Sequence, residues 1–166
     1  MPAAKHRARY WLFKSEAGCF SYDDLVRSPR RRTGWDGIRN RQARNFLRDD
    51  VQVGDGVLFW HSNGDPPGVA GIARVARAAD PDPTQFDPDA EHFDPRSRPD
   101  APVWFQVELE AVAPLARFVS LADLKACPEL AAMRVLQRGQ RLSVMPVEAA
   151  EWKKVLALGG LDPARF

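Results

Sequence analysis

The chain is poor in the residues that build metal centres and disulfide frameworks, with 2 cysteines and 3 histidines among 166 residues. Cys19 and Cys127 stand far apart and have no histidine beside them, which excludes a zinc spacing and a disulfide scaffold. His6, His61 and His92 are equally scattered, so neither a metal nor a cofactor is expected. No apolar run reaches membrane-spanning length, so no membrane partner is expected. No apolar core or small-residue cleavage site follows the basic start Met1–Arg9, so no signal peptide is read and a cytoplasmic setting, nucleoid-associated if the partner is DNA, is expected. A phosphate-cradling loop is missing, because Gly68-Val69-Ala70-Gly71 lacks the lysine and the helix that such a loop needs. Nucleophilic catalysis is poorly served too. His61 and Ser62 are adjacent in sequence, but no elbow glycines surround Ser62 or Ser15. The expectation is a non-catalytic protein.

Net charge is also small, at +2, yet it is unevenly laid out. Between Arg27 and Arg48 lie eight arginines and one acid, Asp36. Between Asp80 and Asp100 lie seven acids and two arginines. Arginine forks suit phosphate oxygens, so the first region reads as a polyanion face, with Arg31, Arg32 and Arg44 among its contacts. The competing reading is a solvated face paired to the acidic stretch.

The length fits one domain with its own core. Residues 1–8 are expected as a basic tail, 9–158 as the domain and 159–166 as a C-terminal tail. Tyr10 to Lys14 alternate as a buried strand. Ser21 caps a short helix that Pro29 stops, and Asn40 caps a second one running to about Asp49. Val57–His61 and Val69–Ala78 read as a hairpin with a long loop, since Pro66-Pro67 forbids a tight turn. The proline-rich stretch from Asp80 to Pro102, with Phe86 and Phe93 embedded, reads as a flap. Val103–Val112 is a further strand, Ser120–Leu124 a capped turn and Pro128–Gln137 a short helix. Leu142–Pro146 is a strand and Val147–Leu158 the last helix. The fold class is therefore α+β: a strongly bent sheet or small barrel surrounded by short helices.

Flat-ring recognition is the chemistry that accumulates. Trp35 sits apart from the apolar runs, beside a turn glycine, Arg39 and Asn40, and can stack on a base, with Phe93 or Trp104 as an opposite wall. Ser15, Asn40, Ser62 and Ser143 can address the base edge, and Lys14, Arg39, Arg44 and Arg141 its carbonyls or the flanking phosphates. Trp11, Trp60 and Trp152 lie in strongly apolar patterns and are assigned to the core.

These segments resemble the EVE domain. The resemblance is carried by Tyr10-Trp11-Leu12-Phe13-Lys14-Ser15-Glu16, Trp35-Asp36-Gly37-Ile38-Arg39-Asn40, Phe59-Trp60-His61-Ser62-Asn63, Pro66-Pro67-Gly68, Asp82-Pro83-Thr84-Gln85-Phe86-Asp87 and Arg141-Leu142-Ser143-Val144. It covers about residues 9–158. The chain departs from the family at Ala17, usually proline, at Trp60, usually tyrosine, and at His92-Phe93, usually a tyrosine pair. The resemblance implies a PUA-like pseudo-barrel and binding of modified nucleobases, modified cytosine in DNA foremost. It also implies base-binding roles for Trp35, Lys14, Ser15, Asn40, His61, Ser62, Leu142 and Ser143, and polar or phosphate roles for Arg39 and Arg141. The expected partner is DNA or RNA carrying a modified base, bound by a monomer. Two other classes stay open. A PUA-like enzyme on a modified nucleoside would use Lys14 with Glu16 or His61 as acid and base. A protein-interaction module would turn the arginine face to an acidic partner.

Overall fold

Tyr10–Glu16 forms the first strand, β1, and its alternating aromatics place Trp11, Leu12 and Phe13 in the core. The structure, a computed structural model, describes residues 9–166; the expected tail 1–8 lies outside the described residues. Helix α1 (Tyr22–Arg27) opens on a capping box in which Ser21 and Asp24 satisfy each other's backbone N–H. Strand β2 (Arg32–Gly34) and helix α2 (Arg41–Asn45) follow. The helix continues through Phe46–Asp50 as a π turn, so the expected span to about Asp49 exists but changes its winding halfway. Strands β3 (Gly56–Ser62), β4 (Gly68–Pro81) and β5 (Phe105–Ser120) make a long meander. Helix α3 (Leu121–Lys125), strand β6 (Val144–Val147) and helix α4 (Ala149–Leu158) complete the domain.

The six strands form one mixed sheet in the order β2-β5-β4-β3-β1-β6. β1 lies between β3, to which it is parallel, and β6, to which it is antiparallel, while the remaining pairs are antiparallel. A parallel neighbour requires a crossover, and that crossover carries α1, β2 and α2. The segment holding Trp35 and the arginines is thereby laid across the end of β1. The α+β class with short helices is what forms, and the strand order is linear, ending at β2 and β6.

Trp11, Trp60 and Trp152 are buried core residues, at 2%, 3% and 3% exposure. Asp55, fully buried, accepts the Trp11 indole N–H at 2.9 Å and the Arg9 backbone N–H at 3.2 Å, tying the start of β1 to the turn before β3. Two expectations change. Pro128–Gln137 is not one helix but two 3-10 turns, Pro128–Leu130 and Arg134–Leu136; the first buries Leu130, and the link between them buries Met133, whose N–H bonds Leu130 O at 2.9 Å. Residues 159–166, expected as a C-terminal tail beyond the domain, begin packed against it. Leu161 packs on the core and its N–H bonds the Leu156 carbonyl at 2.9 Å, before a 3-10 turn at Pro163–Arg165. Among the described residues no helix is long and apolar enough to cross a membrane.

Candidate nucleic-acid interface

A cavity of about 560 Å³ opens where β1 ends. β1 supplies Lys14, Ser15 and Glu16, the turn after it Cys19 and Phe20, and the crossover Thr33 to Ile38. Ser143 closes one side and Glu91 with His92 another. The frame is held by main-chain bonds: Lys14 N–H to Ser143 O at 2.8 Å and Trp35 N–H to Val107 O at 2.7 Å. The Ser15 hydroxyl donates to Phe20 O at 2.5 Å, which fixes the turn that brings Phe20 to the cavity.

Trp35 lines this cavity and also belongs to the core. It is 7% exposed, with ring centroids 5.5 Å from Phe59, 5.7 Å from Phe13 and 6.2 Å from Phe20. The expectation of a pocket tryptophan apart from the core is corrected: only a small part of its surface is offered to the cavity. Lys14 is half-buried, its pKa lowered by desolvation, and its ammonium has no hydrogen-bond or ion-pair partner among the described residues. Asp36 has its pKa raised, first by partial burial and then by the neighbouring Asp82 carboxylate.

The flap packs on this frame through Arg39. All five guanidinium N–H donors of that residue are engaged inside the protein: on Asp82 Oδ2 and Ile38 O, on the Thr84 hydroxyl, and twice on His92 O, at 2.7–3.1 Å. The expectation that Arg39 offers itself to phosphate does not fit this geometry; the residue clamps the flap. Asp82 is fully buried. Burial alone would raise its pKa, but the Thr84 hydroxyl, the Gly37 N–H and Arg39 outweigh that and lower it. Gly37 has φ +79°, and a Cβ there would meet His92 Cδ2 at 2.9 Å, so glycine is what lets the flap approach. Trp104 and Phe93, the aromatics considered as a second wall, do not line the cavity. Trp104 is instead the flap's anchor: its indole N–H donates to Asp94 at 2.8 Å, and Arg39, Arg41 and Arg44 lie 5.4–5.9 Å from its ring centroid.

The Asp94 carboxyl is held down to about 2, mainly by the Trp104 indole N–H and then by the Arg96 backbone N–H. Its folded pKa lies below the unfolded value of about 3.9, so the docking it supports is complete above that value and lost as pH falls towards 2. Fluorescence-monitored acid titration should show a step in this window that Asp94→Asn removes. An identical titration in the variant would dismiss Asp94 as the anchor.

The other expected site residues are dispersed. Asn40 uses its side chain to cap α2, accepting the Ala43 N–H at 3.0 Å. His61 Nε2 accepts the Tyr22 N–H at 3.0 Å, burial lowers its pKa, and neither His61 nor Ser62 lines the cavity. Leu142 is buried beside Ser143. Arg44 is half-buried and donates to Val103 O at 3.0 Å. Arg32 pairs with Glu110 at 3.0 Å and lies 3.7 Å from Glu108, so it braces the β2–β5 edge while its side chain stays partly exposed. Arg31 and Arg141 are exposed and have no ion pair among the described residues.

Residues 9–158 match the family model of the EVE domain. The chain belongs to the EVE family. Human thymocyte nuclear protein 1 is 38% identical over 176 residues, which span 96% of this chain and 78% of the relative. A Leishmania major protein shares the fold at a TM-score of 0.86 and 42% identity, covering 93% of this chain and 96% of its own. The human THYN1 protein, solved in complex with 5-methylcytosine-containing DNA, gives 0.85 and 39% identity over 94% of this chain and all of its own.

In this EVE domain, then, the cavity joins four of the expected base-binding residues, Lys14, Ser15, Trp35 and Ser143. It also holds residues that sequence reasoning passed over as site members: Phe20, Asp36, Glu91 and His92. Asp36 was within reach, as the lone acid inside the arginine-rich segment. Phe20 had no such signal, since only the Ser15–Phe20 turn brings it round.

Proposed function

We propose that this EVE domain is a non-catalytic DNA-binding module that receives a flipped, modified base, 5-methylcytosine favoured, in the cavity at the end of β1. The observation that carries the reading is the 39% identical relative in complex with 5-methylcytosine-containing DNA, alignable over 94% of this chain. The cavity, at about 560 Å³, is of the size that takes small flat ligands. Its contents suit a base: an indole face, a lone ammonium and a serine hydroxyl. Register shifts at four places between β4 and β5 supply bulges, which bend strands, and we read them as the curl of a PUA-like sheet. A non-catalytic role is favoured because His61, the candidate base, has Nε2 occupied by the Tyr22 N–H. Glu16 is likewise held, accepting from the Asn63 amide at 3.1 Å.

Titration of duplexes that differ only in one methyl group tests the reading. The methyl contributes about 0.8 kcal/mol by burial, about fourfold, rising to about tenfold in a snug pocket. Mismatched or single-stranded contexts should bind better, because less unstacking is needed. Equal affinities for methylated and unmethylated DNA would sink it. Affinity should also fall with salt. Replacing Arg31 and Arg141 with alanine should flatten that slope by about one for each phosphate they had neutralised.

A further inference from the structure

We propose that Asp36 reads the exocyclic 4-amino group of the flipped base, so that the pocket accepts 5-methylcytosine and rejects thymine, which carries the same methyl. The inference rests on the modified-base reading above and adds the residue that decides between two bases of nearly equal shape. Cytosine presents an amino donor where thymine presents a carbonyl acceptor, and carboxylates are the side chains that accept from the cytosine amino group. At the ring positions beside it, cytosine has acceptors that need donors opposite them. The cavity offers both kinds. Lys14 brings an unpartnered ammonium and Ser143 a hydroxyl, while Asp36 brings the acceptor.

Asp36 is the carboxylate best placed for this. Glu16 also lines the cavity, but its two oxygens accept from the Asn63 amide and from the Cys19 thiol. The Asp36 carboxylate has no hydrogen bond from another side chain among the described residues. Its backbone is held on both sides: Trp35 N–H donates to Val107 O at 2.7 Å, and Gly37 N–H to Asp82 Oδ2 at 2.8 Å. It directly follows Trp35, so the stacking surface and the edge reader come from one fixed segment. The fixed backbone confines where this acceptor can sit, which favours an amino donor over a carbonyl at that point of the base edge. Glu91 is the remaining acid of the cavity and sits on the flap.

The experiment uses oligonucleotides in which 5-methylcytosine, cytosine or thymine stands opposite an abasic site, so that no base pair must open. The wild type should prefer 5-methylcytosine over thymine by about tenfold or more. Asp36→Asn should bring that ratio to within about twofold, because a carboxamide can present either a donor or an acceptor. Asp89→Asn, at an exposed acid of the flap that does not line the cavity, should leave it unchanged. Thermal unfolding of Asp36→Asn should match the wild type, as the side chain is exposed. A wild type that binds both bases alike, or an Asp36→Asn variant that keeps the ratio, overturns the inference alone. Equal binding of 5-methylcytosine and cytosine overturns the pocket reading and this inference with it.

Discussion

Arg39→Ala is expected to destabilise the domain by about 3 kcal/mol, lowering the unfolding midpoint by about 6–12 °C. The residue looks like a phosphate ligand in sequence, but the variant removes five hydrogen bonds, four of them to the flap, and leaves the fully buried Asp82 without its counter-charge. Gly37 and Thr84 still donate to that carboxylate, which keeps the cost at the lower end of what breaking a buried pair entails. Arg39→Lys should recover little, because an ammonium cannot reach Asp82, Thr84 and His92 O together. Thermal unfolding measures this directly. An unchanged midpoint with a flattened salt slope of DNA binding would return Arg39 to the phosphate contacts.

What the sequence made legible was local. Strand β1 follows from alternating aromatics, the α1 cap from Ser21 and Asp24, and the core role of Trp11, Trp60 and Trp152 from apolar runs. Strands β4 and β5 run beyond the spans their sequence pattern predicts, because bulges let both continue past the points where alternation breaks. The stretch from Asp80 to Pro102 reads as a flap, but nothing near Asp82 or Gln85 in sequence says what it packs on. Its partners lie 19 to 53 residues away: Gln85 Nε2 donates to Trp104 O, and Arg39 to His92 O.

The arginine segment shows the same limit. Counting charges gives a basic surface, but pairing removes several members from it. Arg32 meets Glu110, Arg39 meets Asp82 and Arg48 meets Asp49. Within the segment Arg31 is left exposed and unpaired, its φ of 59° holding it in the left-handed region; outside the segment Arg141, just ahead of the cavity's Ser143 in the chain, is exposed and unpaired as well. His61 shows the limit for a single residue. It stands opposite Ser15 in the β1–β3 register, yet its ring turns to the N-terminus of α1 and bonds a backbone N–H there.

Trp35→Ala is expected to have two separable effects, each large. Stability should fall by about 3–5 kcal/mol, the cost of removing a large buried ring. The indole fills space among Phe13, Phe20 and Phe59, and those rings cannot all close the gap. Binding of 5-methylcytosine DNA should weaken as well, by about 1–3 kcal/mol as base stacking is removed, roughly tenfold. Trp11→Ala supplies the comparison. That ring is 2% exposed, bonds Asp55 at 2.9 Å and does not line the cavity, so its removal should cost similar stability and leave affinity alone. Both affinities are measured at a temperature where circular dichroism shows each variant folded. If the two variants weaken DNA binding equally, Trp35 acts only through the core, and the stacking wall must be sought elsewhere in the cavity, with Phe20 as the next aromatic that lines it.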